Sequence, residues 1–145
     1  MIIEPLAIAT VKPLTELALE LWPDCTFDEE YEYYTGVVKA ENEICYLVRE
    51  LDQYIAFIHL SIRTDYVEGA TESPVAYLEA IYVKPAYQKR GIGRELLRIG
   101  EEWGKRNGCR HFASDAELTN VASIDFHTKT GFTEANRIVC FIKDL

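Results

Sequence analysis

The chain has 145 residues, 48% of them hydrophobic, and a net charge of −9. That length predicts one domain over residues 1–145 with a packed core, and no run of eighteen apolar residues is present to span a membrane. An overall acidic balance also excludes nucleic acid as an expected partner, because that partner needs a basic footprint across the domain.

Residues 2–8 are apolar enough for a first strand. Thr10 is placed to cap a helix from Val11 to Trp22, whose Leu14, Leu17, Ala18 and Leu21 follow helical spacing. Trp22-Pro23 ends it, since the residue before proline is pushed out of the helical region. An acidic helix is expected from Phe27 to Ala40. Ile44–Arg49 and Gln53–Arg63 read as strands joined by a turn at Leu51-Asp52, and Thr64–Pro74 as a loop. A third long strand runs from Val75 to Val83 and a helix from Arg94 to Arg106, with Gly108 suited to its C-terminal cap. His111–Ser114 predicts a short strand, Val121–Thr130 a helix, and Arg137–Ile142 a last strand. This order gives an α/β (α+β) sheet with helices packed on its faces.

The N-terminus lacks a basic region, which argues against a secretory signal. Cys25, Cys45, Cys109 and Cys140 are scattered with no C-x-x-C pair, so buried reduced thiols in a cytoplasm are expected, and no metal site.

Charge is unevenly divided: residues 1–74 hold 4 Lys and Arg against 15 Asp and Glu, and residues 75–145 hold 11 against 9. The acidic half would concentrate a cationic ligand, and a basic cluster in the other half an anionic one. Such a cluster lies in Ile81-Tyr-Val-Lys-Pro-Ala-Tyr-Gln-Lys-Arg-Gly-Ile-Gly-Arg94. A strand ends at Val83, Pro85 turns the chain, and Gly91 and Gly93 bracket a helix start. There backbone N–H groups lack intrahelical partners and the helix dipole adds positive charge. Lys84, Lys89, Arg90 and Arg94 stand beside it. The implied ligand is a pyrophosphate. Leu96 stands where a dinucleotide fingerprint would need a third small residue, and no G-x-x-x-x-G-K-[ST] occurs, so both of those readings fail.

Val-x-Pro followed by Gln-x-x-Gly-x-Gly resembles the acyl-CoA motif of the GNAT superfamily of N-acetyltransferases. Asn120 and His127-Thr-Lys-Thr-Gly131-Phe132 extend the match through about the last seventy residues. The resemblance implies a mixed, mostly antiparallel sheet splayed in a V, with helices on both faces. It implies acetyl-CoA as co-substrate, with Gln88, Lys89, Arg90, Gly91, Ile92, Gly93 and Arg94 at the pyrophosphate and Ile81, Tyr82 and Val83 along the pantetheine. It also implies Asn120 at the cofactor.

Acetylating an amine needs a neutral amine, a donor for the oxyanion and a proton for the thiolate. A backbone N–H near Ile81 or Tyr82, at a strand bulge, suits the oxyanion. His127 stands four residues before Gly131-Phe132, where the superfamily usually has a tyrosine acid. An imidazole donates protons as a stronger acid than a phenol, and a packed helical histidine is the competing reading. Glu79 lies on the strand leading into the motif and Asp115 ends the next strand, and either can bind an acceptor ammonium or take its proton. For both, a salt bridge to Arg63 or Arg110 is the structural alternative.

A closer resemblance spans nearly the whole chain. Leu21-Trp22-Pro23, Ser61-Ile62-Arg63-x-Asp65-Tyr66-Val67-x-Gly69, Leu78-Glu79-x-Ile81-Tyr82-Val83 and Ala113-Ser114-Asp115 are similar to bacterial aminoglycoside 6′-N-acetyltransferases. That implies Trp22, Tyr66, Glu79 and Asp115 at the acceptor, a cytoplasmic homodimer, and 6′-amine acetylation by direct attack on the thioester. Aromatic faces and carboxylates do suit a hydroxyl-rich polycation. Tyr31, Tyr33 and Tyr34 are expected in core or interface packing. Another polyamine or a protein amine is the alternative acceptor, and a non-catalytic module binding acyl-CoA or a cationic drug is the alternative function.

Overall fold

The first strand is shorter than its apolar run. In the computed structural model, which describes residues 1–145, β1 covers Ile2–Pro5 and a 3-10 turn occupies Ile8–Thr10 before α1 (Val11–Leu21) begins. Thr10 does not cap α1 as expected; its Oγ1 exchanges hydrogen bonds with the backbone of Ala7 and closes the 3-10 turn instead. Thr26 does cap α2 (Phe27–Lys39), accepting from the Glu29 N–H at 3.3 Å, with Asp28, Glu29 and Glu30 against the positive end of the helix.

β2 (Glu43–Glu50), β3 (Gln53–Arg63) and β4 (Val75–Val83) are antiparallel neighbours, and β5 (Phe112–Ser114) joins β4 in parallel. The sheet order is β1-β2-β3-β4-β5. α3 (Ile92–Arg106) and α4 (Val121–Lys129) complete the elements. One sheet face, with Cys45, Leu47, Phe57 and Ala80, is buried against Leu14, Leu17 and Ala18 of α1 and Tyr34 and Val37 of α2. The other, with Ile58, Leu60 and Leu78, packs against Ile92, Leu96, Leu97 and Trp103 of α3. The fold is thus the mixed, mostly antiparallel sheet with helices on both faces that the motifs implied. α3 sits close because Gly104 would press a Cβ to 2.8 Å from the Ala76 Cβ.

Two features of β4 set up the site. His59 faces Ala80 but Leu60 faces Leu78, so Glu79 is an extra residue, a β-bulge. A one-residue slip inverts the side-chain alternation. Tyr77 and Glu79 therefore share a face with Ala80, while Leu78 and Ile81 point to the other. Second, β4 pairs with β5 only from Ala76 to Leu78, ending at Ser114. Beyond that point the strands part, which is the V.

The expected strand at Arg137–Ile142 does not form. No backbone–backbone hydrogen bond involves residues 133–145, and the segment leaves past the 64–74 loop, where Asn136 Nδ2 donates to Glu68 Oε1. A strand needs a neighbour to take its N–H and C=O groups, and the segment pairs with none of the five strands, the free edge at β5 included. Cysteine placement is mixed: Cys45 and Cys109 are buried as expected, but Cys140 is exposed on this tail and Cys25 is half-buried; all four are free thiols.

Candidate active site

The bulge decides which backbone groups face the gap between β4 and β5. Before it, the Ala76 N–H reaches toward β5 and bonds His111 O at 3.1 Å; after it, the Lys84 N–H reaches toward β3 and bonds Ile55 O at 2.9 Å. Strand alternation then turns the N–H groups of Ile81 and Val83 into the gap and that of Tyr82 toward β3. Of the two positions expected for an oxyanion donor, Ile81 is the one oriented for it. The bulge itself lies at Glu79, two residues earlier than expected.

At the end of β4, Gln88 Nε2 donates to Val83 O at 3.0 Å and pins the following loop against the strand end. Lys89 has φ +61° and Gly91 φ +82°, and these left-handed residues curl the chain into the start of α3. The backbone N–H groups from Lys89 to Arg94 donate to no acceptor in the protein, since the first helical bond here is Glu95 N–H to Gly91 O. A row of free donors at a helix N-terminus fits a pyrophosphate. The two glycines differ in purpose: a Cβ at Gly91 meets nothing, whereas one at Gly93 meets the Phe126 ring of α4 at 3.1 Å. Gly91 keeps the loop's conformation and its open approach; Gly93 lets α3 and α4 touch.

The basic side chains are less available than their clustering implied. Lys84 pairs with Glu20 at 2.8 Å, Arg90 lies toward Glu50 at 3.8 Å and over the Tyr87 ring, and Arg94 donates to Lys129 O. Only Lys89 has no partner of this kind. Asn120 caps α4, its Oδ1 accepting from the Ser123 N–H at 3.2 Å.

Across the gap, His127 has both ring nitrogens engaged. Nδ1 lies 2.6 Å from Ser123 O, which can only accept, so Nδ1 carries the proton. Nε2 lies 2.7 Å from Ser114 Oγ at the end of β5, and the ring packs edge-on to Phe132. In this tautomer Ser114 donates to His127 and keeps both oxygen lone pairs for another group.

Glu79 and Asp115 are brought together through intermediaries. Glu79 Oε1 accepts from Ser61 Oγ at 2.6 Å, and Arg63 holds both oxygens, Nη2 to Oε1 at 2.8 Å and to Oε2 at 3.0 Å. The same guanidinium lies 3.4 Å over the Tyr77 ring, and the Tyr77 hydroxyl donates to Asp115 Oδ2. Burial, then Asp115, pushes the Tyr77 hydroxyl well above its usual range, so it stays a donor. For Glu79 the salt bridge to Arg63, weighed as the structural alternative, is formed; Arg110 instead approaches Glu72 at 3.5 Å. Ser61 and Arg63 also line an open polar cleft of about 520 Å³ with Asn42, Glu43, Asp65 and Tyr66.

Tyr66, 82% exposed, borders this cleft and is held by Glu68, whereas Trp22, at the end of α1, is not among its lining residues. Of the tyrosines expected in core or interface packing, Tyr34 is in the core; Tyr31 and Tyr33 are exposed on this chain, and the Tyr33 hydroxyl donates to Glu43, which also meets the buried His59. Sequence reading missed Ser61, Tyr77, Ser114 and Glu43. The usable signal for the first two was strand alternation, since Ser61 and Arg63 share a face of β3 and Tyr77 stands two residues before Glu79.

No helix is long and apolar enough to cross a membrane, and no group of three His, Cys, Asp or Glu is placed to hold a metal ion.

The acetyltransferase (GNAT) family model matches residues 9–132. An aminoglycoside N(6′)-acetyltransferase type 1 of Acinetobacter haemolyticus is 39% identical over 144 residues, covering 99% of this chain and 98% of that protein. One from Klebsiella aerogenes is 38% identical over 130 residues, covering 87% and 85%. Among solved structures, the apo aminoglycoside 6′-N-acetyltransferase AAC(6′)-IG from Acinetobacter haemolyticus superposes with a TM-score of 0.95 at 36% identity, over 100% of this chain and 99% of that one. AAC(6′)-Iy in complex with the bisubstrate analogue CoA-S-monomethyl-acetylneamine does so with a TM-score of 0.94 at 30% identity, over 99% and 98%.

Proposed function

The chain belongs to the acetyltransferase (GNAT) family, and we propose that it is an aminoglycoside 6′-N-acetyltransferase using acetyl-CoA. The observation that carries this reading is the juxtaposition of two unlike sites on β4. A row of free N–H donors follows the strand's end, and the Glu79–Asp115 carboxylate cluster begins at its bulge. The first suits the pyrophosphate of the donor, and the second suits a cationic amine. Near-full-length relatives named for this activity narrow the amine to an aminoglycoside.

Acetyl-CoA supplies the activated acetyl group. The loop from Gln88 to Arg94 holds its diphosphate through backbone N–H groups, with Lys89 as the free cation beside them and Asn120 fixing the start of α4. Ile81, Tyr82 and Val83 form the wall along which the pantetheine lies. The acceptor's 6′-amine is oriented by Asp115 and Glu79, and one of these carboxylates, directly or through water, takes its proton. The nitrogen then bonds to the acetyl carbon while the carbon–sulfur bond breaks. The Ile81 N–H meets the negative charge that develops on the carbonyl oxygen. The leaving sulfur receives a proton from His127 in its imidazolium form, passed from Nε2 through the Ser114 hydroxyl, which returns the ring to the Nδ1-protonated tautomer. Trp22 and Tyr66 offer aromatic surface to the sugar rings.

The protein acts as a homodimer in the cytoplasm, where acetyl-CoA is made and free thiols persist. Residues 137–142 support the dimer. Phe141 is 92% exposed and Ile138, Val139 and Ile142 are also in solvent, while β5 is a sheet edge. An apolar β-forming segment with no partner and an edge with free hydrogen-bonding groups are complementary between two copies. Phe141→Asp is expected to yield a monomer in sedimentation; an unchanged dimer would remove the tail from the interface.

The direct test is incubation of the protein with acetyl-CoA and a kanamycin-class aminoglycoside. Free thiol should be released, and NMR of the product should place the acetyl group on the 6′-nitrogen. Absence of turnover on every aminoglycoside, or faster turnover on spermidine or lysine peptides, would reject the assignment.

A further inference from the structure

We propose that Arg63 is a resident cation that occupies the acceptor's place at Glu79, and that it sets acceptor affinity by having to be displaced. This inference rests on the acetyltransferase reading above. A recognition site for an ammonium group consists of a carboxylate, an aromatic face and further negative charge close by. All three are present, and one guanidinium already uses them. Arg63 binds both oxygens of Glu79, lies 3.4 Å over the Tyr77 ring, and feels the charge of Asp115 as well.

Three features distinguish this from a structural ion pair. Ser61 already satisfies Glu79 Oε1 at 2.6 Å, so the carboxylate is oriented without Arg63. The Arg63 side chain is 41% exposed and lines the open cleft, so it has a route out. The charges also do not balance. With Tyr77 neutral, Glu79 and Asp115 carry two negative charges and Arg63 one positive, leaving room for one ammonium while Arg63 stays. A polycation delivering two ammonium groups can replace it entirely, and a monoamine gains little by doing so. Arg63 therefore discriminates in favour of polycations, because guanidinium is charged at any working pH and never vacates the site by deprotonation.

Neamine and methylguanidinium serve as probes, with binding followed by calorimetry in the presence of CoA. Arg63→Ala should bind neamine about tenfold more tightly than the wild type, as expected when a partly exposed competing ion pair is removed. Methylguanidinium should compete with neamine in Arg63→Ala and leave wild-type binding unchanged. Arg63→Lys, which keeps the charge but loses the two-pronged grip, should fall between. Weaker neamine binding by Arg63→Ala, or indifference of that variant to methylguanidinium, overturns the proposal even if the wild type acetylates neamine normally. A wild type that neither binds nor acetylates neamine overturns both this inference and the functional reading. Should the alanine variant melt early or lose CoA binding, the wild type decides: the Arg63 side-chain N–H resonance, assigned with Arg63→Lys, must shift on neamine addition, and an unmoved resonance overturns the proposal.

Discussion

The two sides of β4 that we propose for donor and acceptor carry charge-binding groups of opposite kinds. On the donor side the work falls to the backbone: six consecutive N–H groups from Lys89 to Arg94 are free, while most neighbouring basic side chains are engaged elsewhere. On the acceptor side it falls to side chains, and Glu79, Arg63, Ser61, Tyr77 and Asp115 already satisfy one another. A backbone site is fixed by the fold and presents one geometry. A side-chain site can be rearranged by its ligand, which fits a constant donor and a variable acceptor.

The sharpest way to break the comparison is to remove donor binding alone. Gly91→Glu places a carboxylate where the diphosphate would approach and forces a side chain into φ +82°. Like charge at close range costs several kcal/mol, so acetyl-CoA affinity should fall by more than about 10³-fold. Calorimetry with neamine should show acceptor binding nearly unchanged. If both are lost, the two sides are not independent.

Asp115→Ala should do the converse. The acceptor's kcat/KM is expected to fall by about 10²–10³, the usual cost of removing one partner from a hydrogen-bonded charge pair, with acetyl-CoA affinity within about twofold. Equal losses on both sides would make Asp115 a structural residue that merely orders Tyr77.

This asymmetry also explains what could be read from the sequence. The loop of the proposed donor side was legible because a backbone turn leaves fixed marks: Gly91 at a positive φ, Gly93 against Phe126, and the strand-ending Val-x-Pro. Helices and strands were legible for the same reason, their periodicity being a local property. The acceptor side is a product of register. That Glu79 faces Ser61 and Arg63 depends on an extra residue in β4, and no local pattern marks a bulge. The missing last strand shows the same limit, since Arg137–Ile142 has strand composition but pairs with no strand of its own chain.

A smaller effect tests the proton path between the sides. His127→Phe keeps the ring packing against Phe132 and removes the Nε2 contact to Ser114. A drop of about 10² in kcat, with both KM values little changed, is expected for loss of a proton donor. Ser114→Ala should match it, and the double variant should lose no more than either single one, because the two act in series. Additive losses would separate them.

The smallest effect concerns the joint where α1 meets the end of β4. Glu20 accepts from Lys84 at 2.8 Å and from the Tyr82 hydroxyl at 2.7 Å, tying an acceptor-side helix to the donor-side strand end. Burial acts to raise the Glu20 carboxyl, but Lys84 and Tyr82 outweigh it and hold it below its usual value. Burial and the bond to Glu20 push Tyr82 up to about 12. The signs differ. A lowered carboxyl stabilises the fold above its unfolded value near 4.5 and loses that contribution as pH falls through the folded value. A raised phenol stabilises below its unfolded value near 10, and its contribution disappears as pH rises through about 12. Glu20→Gln should therefore cost at most about 0.5 kcal/mol at pH 7, since the pair is partly exposed and screened. The cost should shrink as pH falls below the usual carboxyl value, where wild type and variant melt alike. Urea titrations at pH 7 and pH 3 measure this, and a difference that grows toward acid would mean that Glu20 stabilises the joint in its protonated form.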